Sequence, residues 1–472
     1  MARITRENRR EHMLTTPMRR LIPAMALPTV ASMVINSFYN LADTYFVSQL
    51  GTAATGAVGI NGPLDFIMNL VGAFFAMGAA SYMSRLLGAK EDKRAEQVLS
   101  TVLVLCFIIS CILMVIGRIY VAPLVRFLGA IPEVEVYAIQ YANWVLYAAP
   151  FFVCQFILTS ALRSEGSATY AFIGTTLGGF LNCGLDPLFI WTFGMGVEGA
   201  SIATAISKLV SFIFLLVPYL RKKTMVRINL RSFSLDKEVM AEVAKMGTPG
   251  LSRSALQSIA AIIMNRIAGA QFSAAALAAV SVTNRLLMTI RSACLGYAQG
   301  FQPVAGFCYG AKRYERCLEA YKFTSVSIIA IITGLSTVMF IFAPQIIRTF
   351  TQADADMLRI GILALRTQCL TMPLNAWTIV VNSLYSAAGR ATGALIISTT
   401  RQGLCFFPLV YTLPRFFGLM GLVAVQPGAE LLTVAIVIPL AIYIQRKIRQ
   451  LQDEAASQPP EAGPPLSIPR PH

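Results

Sequence analysis

The sequence of 472 residues is poor in charge and almost free of histidine. Only 13% of its residues are Asp, Glu, Lys or Arg, against about 25% in an average soluble domain. This shortage excludes a disordered chain, a nucleic-acid-binding tail protein and an ordinary cytosolic enzyme. The two histidines, His12 and His472, lie at the chain ends. No histidine is therefore available within the apolar part of the chain, and a proton carrier there has to be a carboxyl group.

The cysteines do not form a recognisable framework. There are nine, an odd number, most of them in apolar stretches, and no Cys-x-x-Cys pair occurs. This pattern is typical of small buried hydrophobic residues, not of a disulfide network or a metal site. The sequence also lacks a nucleophile–base pair, a metal-binding motif and a phosphate-binding loop, which makes an enzyme the least favoured class.

Apolar residues dominate what is present. They make up 56% of the chain, and the mean hydropathy is +0.63, so the composition indicates a polytopic membrane protein. A membrane-crossing helix takes about 20 apolar residues, and the sequence predicts an all-α fold with twelve of them. These helices are predicted to start near Leu21, Thr55, Val98, Tyr137, Thr169, Gly199, Ala241, Ala275, Leu318, Leu358, Thr392 and Gly418.

The charges that remain are unevenly placed. Lys and Arg outnumber Asp and Glu by 39 to 23, a net charge of +16, but too little polar surface is predicted for a nucleic-acid partner. The positive residues cluster at 9–20, 85–94, 221–237, 312–316 and 446–449, all on one predicted side. By the positive-inside rule that side is cytoplasmic. We therefore expect a multi-pass protein of the cell (inner) membrane with both termini in the cytoplasm.

The two halves of the chain resemble each other at a nearly constant offset in residue number. Matching pairs, in chain order, are Gly88 with Gly310, Arg94 with Arg316, Pro150 with Pro373, Ser160 with Ser383, Gly166 with Gly389, and Gly196 with Gly418. Because each copy has an even number of helices, we expect two lobes of the same topology, related by a pseudo-twofold axis along the membrane normal. The predicted segments are a basic cytoplasmic N-terminus (1–20), an N-lobe (21–220), a cytoplasmic linker (221–240), a C-lobe (241–449) and a disordered cytoplasmic tail (450–472).

Two carboxyl groups break this repeat. Asp43 and Asp186 each fall opposite an uncharged residue in the second half, so the scaffold that both halves share does not require them. With a helical rise of about 1.5 Å per residue, both lie in the outer half of the membrane, as do Asn182 and Thr204. Oxygen ligands at one depth suit a cation site or a proton acceptor. The alternative is that Asp43 caps the outer end of the first helix and Asp186 bonds to neighbouring backbone.

Other polar residues are candidates for the lining of a cavity. Asn36 and Asn40 share a helical face with Asp43. Asp65 lies on a polar face of the second helix, which lines either the cleft or a polar seam between helices.

Charged residues and a proline inside the predicted spans also need a role. Lys208, one turn beyond Thr204, is either a counter-charge to the two acids or a side chain that pairs locally. Arg401 and Glu430 lie near mid-depth on the last two helices and are interpreted as a structural ion pair, with a substrate role as the alternative. Pro28 is predicted to kink the first helix.

Several short stretches form a recognisable set. They are Tyr39-Asn40-Leu41-Ala42-Asp43-Thr44, Leu87-Gly88-Ala89, Asn182-x-x-Leu185-Asp186-Pro187-Leu188-Phe189-Ile190, Gly196-x-x-Gly199-Ala200, Ala203-Thr204, Asn284-Arg285, Gln302-Pro303 and Gln426-Pro427-x-Ala429-Glu430. With them, the chain resembles the multidrug and toxic compound extrusion (MATE) family from about residue 21 to 449.

The resemblance implies an antiporter of two six-helix lobes that exports bulky, often cationic drugs, with H⁺ or Na⁺ as coupling ion and no other cofactor. In the branch with an N-lobe cation site, the family's ion-site residues map onto Asp43, Asn182, Asp186 and Thr204. Another branch uses a glutamate on the seventh helix. The matching position here is Gln257. The resemblance therefore implies that the second ion site is absent from this chain, and Gln257 stays a candidate cavity residue. Pro28 matches a proline proposed to bend with protonation in some members.

Two alternatives to a drug antiporter stay open. A flippase or exporter of lipid-linked or amphipathic metabolites would share the fold but usually has extra helices and a more basic cleft. A channel or a structural membrane protein would not need acids in one lobe only. The expected partners are the lipid bilayer and small drug-like molecules, with no nucleic acid, and the expected state is a monomer. The only metal we expect is Na⁺ at the coupling site.

Overall fold

The computed structural model describes residues 6–272, 274–350 and 355–457, and the regular structure within these ranges is helical. The first half contains α1 (Arg6–Thr15), α2 (Met18–Ser48), α3 (Thr52–Gly88), α4 (Asp92–Ile119), α5 (Val121–Phe127), α6 (Pro132–Ser164), α7 (Ala168–Pro187) and α8 (Gly196–Leu220). The second half contains α9 (Lys237–Gln271), α10 (Ala274–Gly310), α11 (Tyr314–Ile341), α12 (Ala343–Arg348), α13 (Ala355–Ala387), α14 (Ala391–Thr399) and α15 (Phe406–Ser457). Wider π turns, Leu188–Thr192 and Thr400–Leu404, follow α7 and α14.

The repeat seen in the sequence is also present in the backbone. Gly418 leaves helical geometry (φ 56°, ψ −135°) and divides α15, so the described ranges hold twelve long helical segments, as predicted. Its equivalent, Gly196, has the same φ of 56°, and Lys90 and Lys312 share positive φ values of 65° and 57°. Gly tolerates this region freely, whereas Lys rarely enters it. Both halves therefore turn in the same way at equivalent positions, which agrees with two six-helix lobes.

Seven stretches of the described helices are long and apolar enough to cross a membrane by length and composition alone. They are Met18–Tyr39, α3, α4, α6, α8, α11 and the stretch Ala391–Ser457 that contains the last two segments. The other long helices, α7, α9, α10 and α13, carry the acids, arginines and amides described below. The side chains of Asn182, Asp186 and Asn375 on these helices are buried in the protein interior, which is where a membrane protein can satisfy them. The protein is thus a multi-pass membrane protein.

Among the described residues, the closest contacts between the lobes lie toward one end of the molecule. We call this end, formed by residues 85–94, 221–237 and 313–316, the linker end, and the other the open end. Near it, α2 packs on α10 and α3 packs on α9. The helices approach closely, since a Cβ on Gly310 would overlap the carbonyl oxygen of Arg85, and one on Gly88 would overlap that of Phe307. The cleft between the lobes therefore opens at the open end.

The segment between the lobes packs against the N-lobe. Met225 and Val226 are fully buried, and the Met225 amide donates to Glu165 at 2.7 Å. Helix α9 begins at Lys237, four residues before the predicted C-lobe, because Asp236 caps it by accepting from the Glu238 amide at 3.0 Å. An acidic N-cap of this kind stabilises the first turn of a helix.

The chain ends differ in part from the expectation. The predicted basic N-terminus contains helix α1, in which Arg10 reaches Asp92 at 2.6 Å. The prediction of disorder from residue 450 is wrong for 450–457, which continue α15. That stretch contains Gln, Glu and Ala, good helix formers that extend a helix at little cost. Residues 1–5 and 458–472 lie outside the described ranges.

Candidate functional site

A cavity of about 310 Å³ lies between the lobes. Its N-lobe wall comes from α2, α3, α6, α7 and α8, and its C-lobe wall from α9 and α10. Three residues that the sequence placed at the site or in the cavity, Asn36, Asn182 and Thr204, line it. The lining combines polar and apolar side chains, which suits an amphipathic molecule.

The carboxyl groups of Asp43 and Asp186 meet behind this wall. They lie close enough to interact directly, and Asp186 is fully buried. An ionised carboxylate has no proton to donate, so a hydrogen bond between them requires that one of the two groups is protonated. The contact forms because α2 packs along α7, and Gly179 lets the Tyr39 ring approach the α7 backbone.

Asn182 connects the acids to the cavity. Its Nδ2 donates to Asp186 Oδ1 and to Thr204 Oγ1, both at 3.2 Å. Asn182 and Asp186 lie one turn apart on α7, so their side chains share a face. The structure thus brings together the four residues that the sequence predicted for the ion-coupling site.

Three oxygens at this site have no partner among the described residues. Asp43 Oδ1, Asn182 Oδ1 and Asp186 Oδ2 are buried and accept no hydrogen bond. Buried acceptors are normally satisfied, since each one left open costs about 1–3 kcal/mol. Together they form a set of hard oxygen ligands of the kind that binds Na⁺ or a proton.

Lys208 pairs locally. Its Nζ donates to the Tyr39 hydroxyl at 3.0 Å and lies 4.5 Å from the centre of the Phe152 ring. It interacts with Asp43 and Asp65 only through longer-range electrostatics. The local pairing considered for Lys208 is therefore the arrangement observed, with the acids as a weaker second influence.

The polar residues of α3 fill both roles considered for this face, a polar seam between helices and a lining of the cavity. Asn61 is buried and donates to the carbonyls of Ala57 and Ala138, so it forms a seam with α6. Asn69 lines the cavity, whereas Asp65 does not belong to its described lining.

The remaining predicted cavity and kink residues are spread over both lobes. Gln257 lines a second, smaller cavity in the C-lobe. The side chain of Asn40 lies outside the described residues. Helix α2 is continuous through Pro28, although the ring leaves the carbonyl of Ala24 without its usual helical donor.

Arg401 and Glu430 form an ion pair at 2.6 Å. Sequence reasoning missed a third member, Asn375, whose Nδ2 lies 3.0 Å from both carboxylate oxygens of Glu430. Glu430 is almost fully buried, so these contacts replace the water that it loses.

The cavity lining is positive, which the sequence reasoning also missed. Arg163, Lys208 and Arg253 line the larger cavity, and no carboxylate belongs to its described lining. This charge disfavours the organic cation that the sequence led us to expect as cargo. The signal that could have found these residues is the one applied to the acids, an ionisable side chain inside an apolar span.

No metal site of the usual protein type is visible in the described part of the chain, where no three His, Cys, Asp or Glu residues come together. The nine cysteines are free thiols, seven of them buried.

Comparison with known proteins identifies the family. The family model MatE matches residues 28–188 and 249–412, one stretch in each lobe. The chain belongs to the MatE family. Members of this family are transporters, not enzymes, and work with a coupling ion instead of an enzymatic cofactor. This MatE protein is therefore a transmembrane transporter and not an enzyme.

Curated relatives and solved structures agree with this assignment. A protein of Staphylococcus saprophyticus named multidrug export protein MepA is 25% identical over 422 residues, which cover 89% of this chain and 92% of that protein. A Staphylococcus aureus protein of the same name is 25% identical, covering 91% and 95%. The solved structure of an outward-facing multidrug resistance MATE family transporter is 27% identical and covers 94% of this MatE chain and 98% of its own, with a TM-score of 0.84. A crystal structure of MATE in complex with MaL6 gives a TM-score of 0.87 at 26% identity, covering 94% and 99%.

Proposed function

We propose that this MatE protein is a secondary antiporter of the cell membrane that exports drug-like molecules in exchange for H⁺ or Na⁺. The observation that carries the proposal is the close approach of the buried carboxyl groups of Asp43 and Asp186. Two carboxyl groups in contact at low dielectric cannot both be ionised without a neutralising ion. A proton or a sodium ion bound between them removes this cost, and its release restores it.

The neighbouring amide and hydroxyl groups extend this chemistry to the cargo cavity. Asn182 bonds to Asp186 and also lines the cavity, as does its partner Thr204. If Asp186 gains a proton on the oxygen that accepts from Nδ2, or if Na⁺ binds there, the amide has to turn its Oδ1 toward that positive charge, because Nδ2 donates and Oδ1 accepts. Ion binding and cargo binding therefore act on the same side chains and can exclude one another.

Helix α2 is the element that passes this change to the other lobe. It carries Asp43 near the open end. Closer to the linker end, it packs on α10 of the C-lobe, where Ala26 lies against Gly300 and Val30 against Gly296. Pro28 lies between these contacts and weakens the helix there. Movement of α2 would open the contacts at the linker end and close the cleft, which is alternating access by rigid lobes.

The direction of transport follows from the predicted topology. The linker end carries the basic clusters and is taken as cytoplasmic. The cleft described here then opens to the outside, where an exporter releases its cargo. Drug-like cargo is inferred from the Staphylococcus relatives, which are named multidrug export proteins.

Exchange in proteoliposomes tests this function. Purified protein is reconstituted, and efflux of a fluorescent drug is measured with a proton gradient alone, a sodium gradient alone and neither. We expect one gradient to drive uphill transport and transport of the drug to move that ion in the opposite direction. Equal drug flux under all three conditions would exclude an antiporter.

A second candidate function is the export or flipping of an amphipathic or lipid-linked metabolite. The positive lining of the cavity by Arg163, Lys208 and Arg253 favours it. In that case the same gradient experiment would show coupled movement of an anionic amphiphile but not of a cationic drug.

A further inference from the structure

Three arginines surround a small cavity in the C-lobe. This cavity has a volume of about 60 Å³, and its lining includes Arg253 from α9, Arg291 from α10 and Arg401. Arg253 also lines the larger cavity, so the two spaces adjoin at its side chain. Ions this deep in a membrane protein are costly unless they are paired.

The positive charges here exceed the negative ones. Glu430 is taken by Arg401 and Asn375, and no carboxylate belongs to the described lining of the small cavity. Three arginines and Glu430 together leave a charge of +2. Arg253 and Arg291 are each repelled by Arg401, so the cluster is destabilised in the absence of an anion.

Two of these guanidinium groups have hydrogen-bond donors without a partner among the described residues. Arg291 donates from Nη2 to Gln368 at 3.2 Å, but its Nε is buried and has no partner. Arg253 forms no ion pair within the described part of the chain. A guanidinium offers five N–H donors in a planar fork that matches the oxygens of a carboxylate or phosphoryl group.

The cluster belongs to the C-lobe alone. At the offset that pairs Gly88 with Gly310, the three arginines fall opposite uncharged residues of the first half, namely Ala31, Asn69 and Gly179. The shared scaffold therefore does not require them. Asp43 and Asp186 show the reverse asymmetry, since their equivalents in the C-lobe are uncharged.

We propose that the small C-lobe cavity is a subsite for an anionic group, a carboxylate or a phosphoryl group, carried by an amphipathic cargo molecule. Its volume has room for a group of a few heavy atoms, since a single water needs about 10–15 Å³ by the same measure. Arg253 and Arg291 hold the anion, while the apolar body of the cargo extends into the larger cavity. This inference rests on the proposed transport function only in that the bound molecule is also transported. Binding itself needs no gradient.

Equilibrium binding to the full-length protein tests this subsite. The protein is placed in nanodiscs of phosphatidylcholine, and the affinities of 2-naphthoate, its methyl ester and 2-naphthylmethylamine are measured by titration calorimetry. These ligands share one aromatic body and differ in charge. We expect the carboxylate to bind at least tenfold more tightly than the ester and the amine.

Arginine variants test whether Arg253 and Arg291 cause the preference for the carboxylate. Arg253→Gln and Arg291→Gln should each weaken binding of the carboxylate about tenfold or more and leave the ester unchanged, because only the carboxylate loses charge-assisted hydrogen bonds. The control is Arg285→Gln, which removes an exposed arginine of α10 outside both described linings and should change nothing. If a variant fails to fold, the wild-type comparison of the three ligands still decides.

The source of the anionic group is distinguished by the lipid. If a lipid headgroup occupies the subsite, replacing half of the phosphatidylcholine by phosphatidylglycerol will weaken the binding of 2-naphthoate in the wild type but not in Arg253→Gln. If the group belongs to a soluble cargo, the lipid exchange will have no effect. Equal affinity for acid, ester and amine, or full carboxylate affinity in both arginine variants, overturns the proposal. Either result leaves gradient-driven transport to be judged by its own experiment.

Discussion

The carboxyl groups of Asp43 and Asp186 lie close enough to interact directly, although they come from the first and the fifth membrane helices. A hydrogen bond between them requires one proton for the two carboxylates. The pair also lies one side chain away from the cavity, through Asn182. The proposed ion-coupling site rests on this relationship between two acids that lie far apart in the sequence.

Replacing either acid by its amide should abolish coupling. Asp43→Asn and Asp186→Asn keep the shape of the protonated form but cannot release a proton, and they weaken a sodium site by removing a full charge. We expect both variants to fold and to lose gradient-driven efflux by a factor of about 100 or more, while drug binding survives. Transport under an imposed gradient in proteoliposomes measures this.

Gln257→Ala is the matched control, since this residue lines the C-lobe cavity away from the acids. It should change coupling far less than either Asp→Asn variant. Full gradient-driven transport by both Asp→Asn variants would show that the N-lobe pair does not couple transport.

The Arg401–Glu430 pair should contribute to stability. Removing one partner of a buried ion pair costs about 3–5 kcal/mol, because the other charge is left unpaired. We expect Arg401→Ala and Glu430→Ala each to lower the thermal unfolding temperature in detergent. The double variant should recover part of the loss. Strictly additive effects would mean that the two side chains do not stabilise each other.

The topology can be tested with an introduced cysteine. Ser232 lies in the linker, at the end of the molecule with the basic clusters. A cysteine at this position should resist a membrane-impermeant thiol reagent added to intact cells and should react in opened cells. Phe127→Cys is the control, because this residue is 87% exposed at the open end and should react in intact cells. Labelling of the Ser232→Cys variant from outside would reverse the orientation.

Glu165 should make stability depend on pH. It lies just beyond α6 at the linker end, where burial raises the pKa of its carboxyl from 4.5 to about 8, opposed by the Met225 amide and by Arg9. Because the folded state holds this proton more tightly than the unfolded state, the contribution to stability is full below about pH 4.5 and is lost as the pH rises through 8. Wild-type unfolding temperatures should therefore fall across this range.

Glu165→Gln should flatten that dependence. The amide keeps an oxygen that accepts from Met225 but has no proton to lose. Thermal unfolding at pH 6 and pH 8.5 compares the two proteins, and the variant should gain relative to the wild type at the higher pH. An unchanged pH profile in the variant would assign the dependence to other groups.

The glycine contact between the lobes should control which end is open. A Cβ on Gly310 would overlap the Arg85 carbonyl, and overpacking of this kind costs about 1–3 kcal/mol. Gly310→Ala should therefore destabilise the closed linker end and raise the reactivity of the buried Cys308 toward a thiol reagent. Gly334→Ala is the control, because nothing lies within 4 Å of a Cβ there. Equal reactivity in both variants would show that the contact does not hold the lobes together.

The sequence by itself determined the depth and direction of the helices. Apolar runs of sufficient length and the positive residues between them predict twelve spans, and the offset repeat predicts two equivalent lobes. The predicted depth also identified Asp43, Asn182, Asp186 and Thr204 as candidates, because the constant rise of an α-helix places them at one level. The second half has no acids equivalent to Asp43 and Asp186, which indicates that the shared scaffold does not require these two residues.

Only the tertiary structure decided which residues at a given depth are neighbours. Helix periodicity gives a face but does not say which helix that face contacts. Lys208 lies at a depth similar to that of both the acids and Tyr39. Because α2 packs beside α8, its ammonium group bonds to the Tyr39 hydroxyl. Arg253 and Arg291 come from different helices and converge on one cavity through the packing of α9, α10 and α14, a lateral arrangement that spacing along the chain does not record.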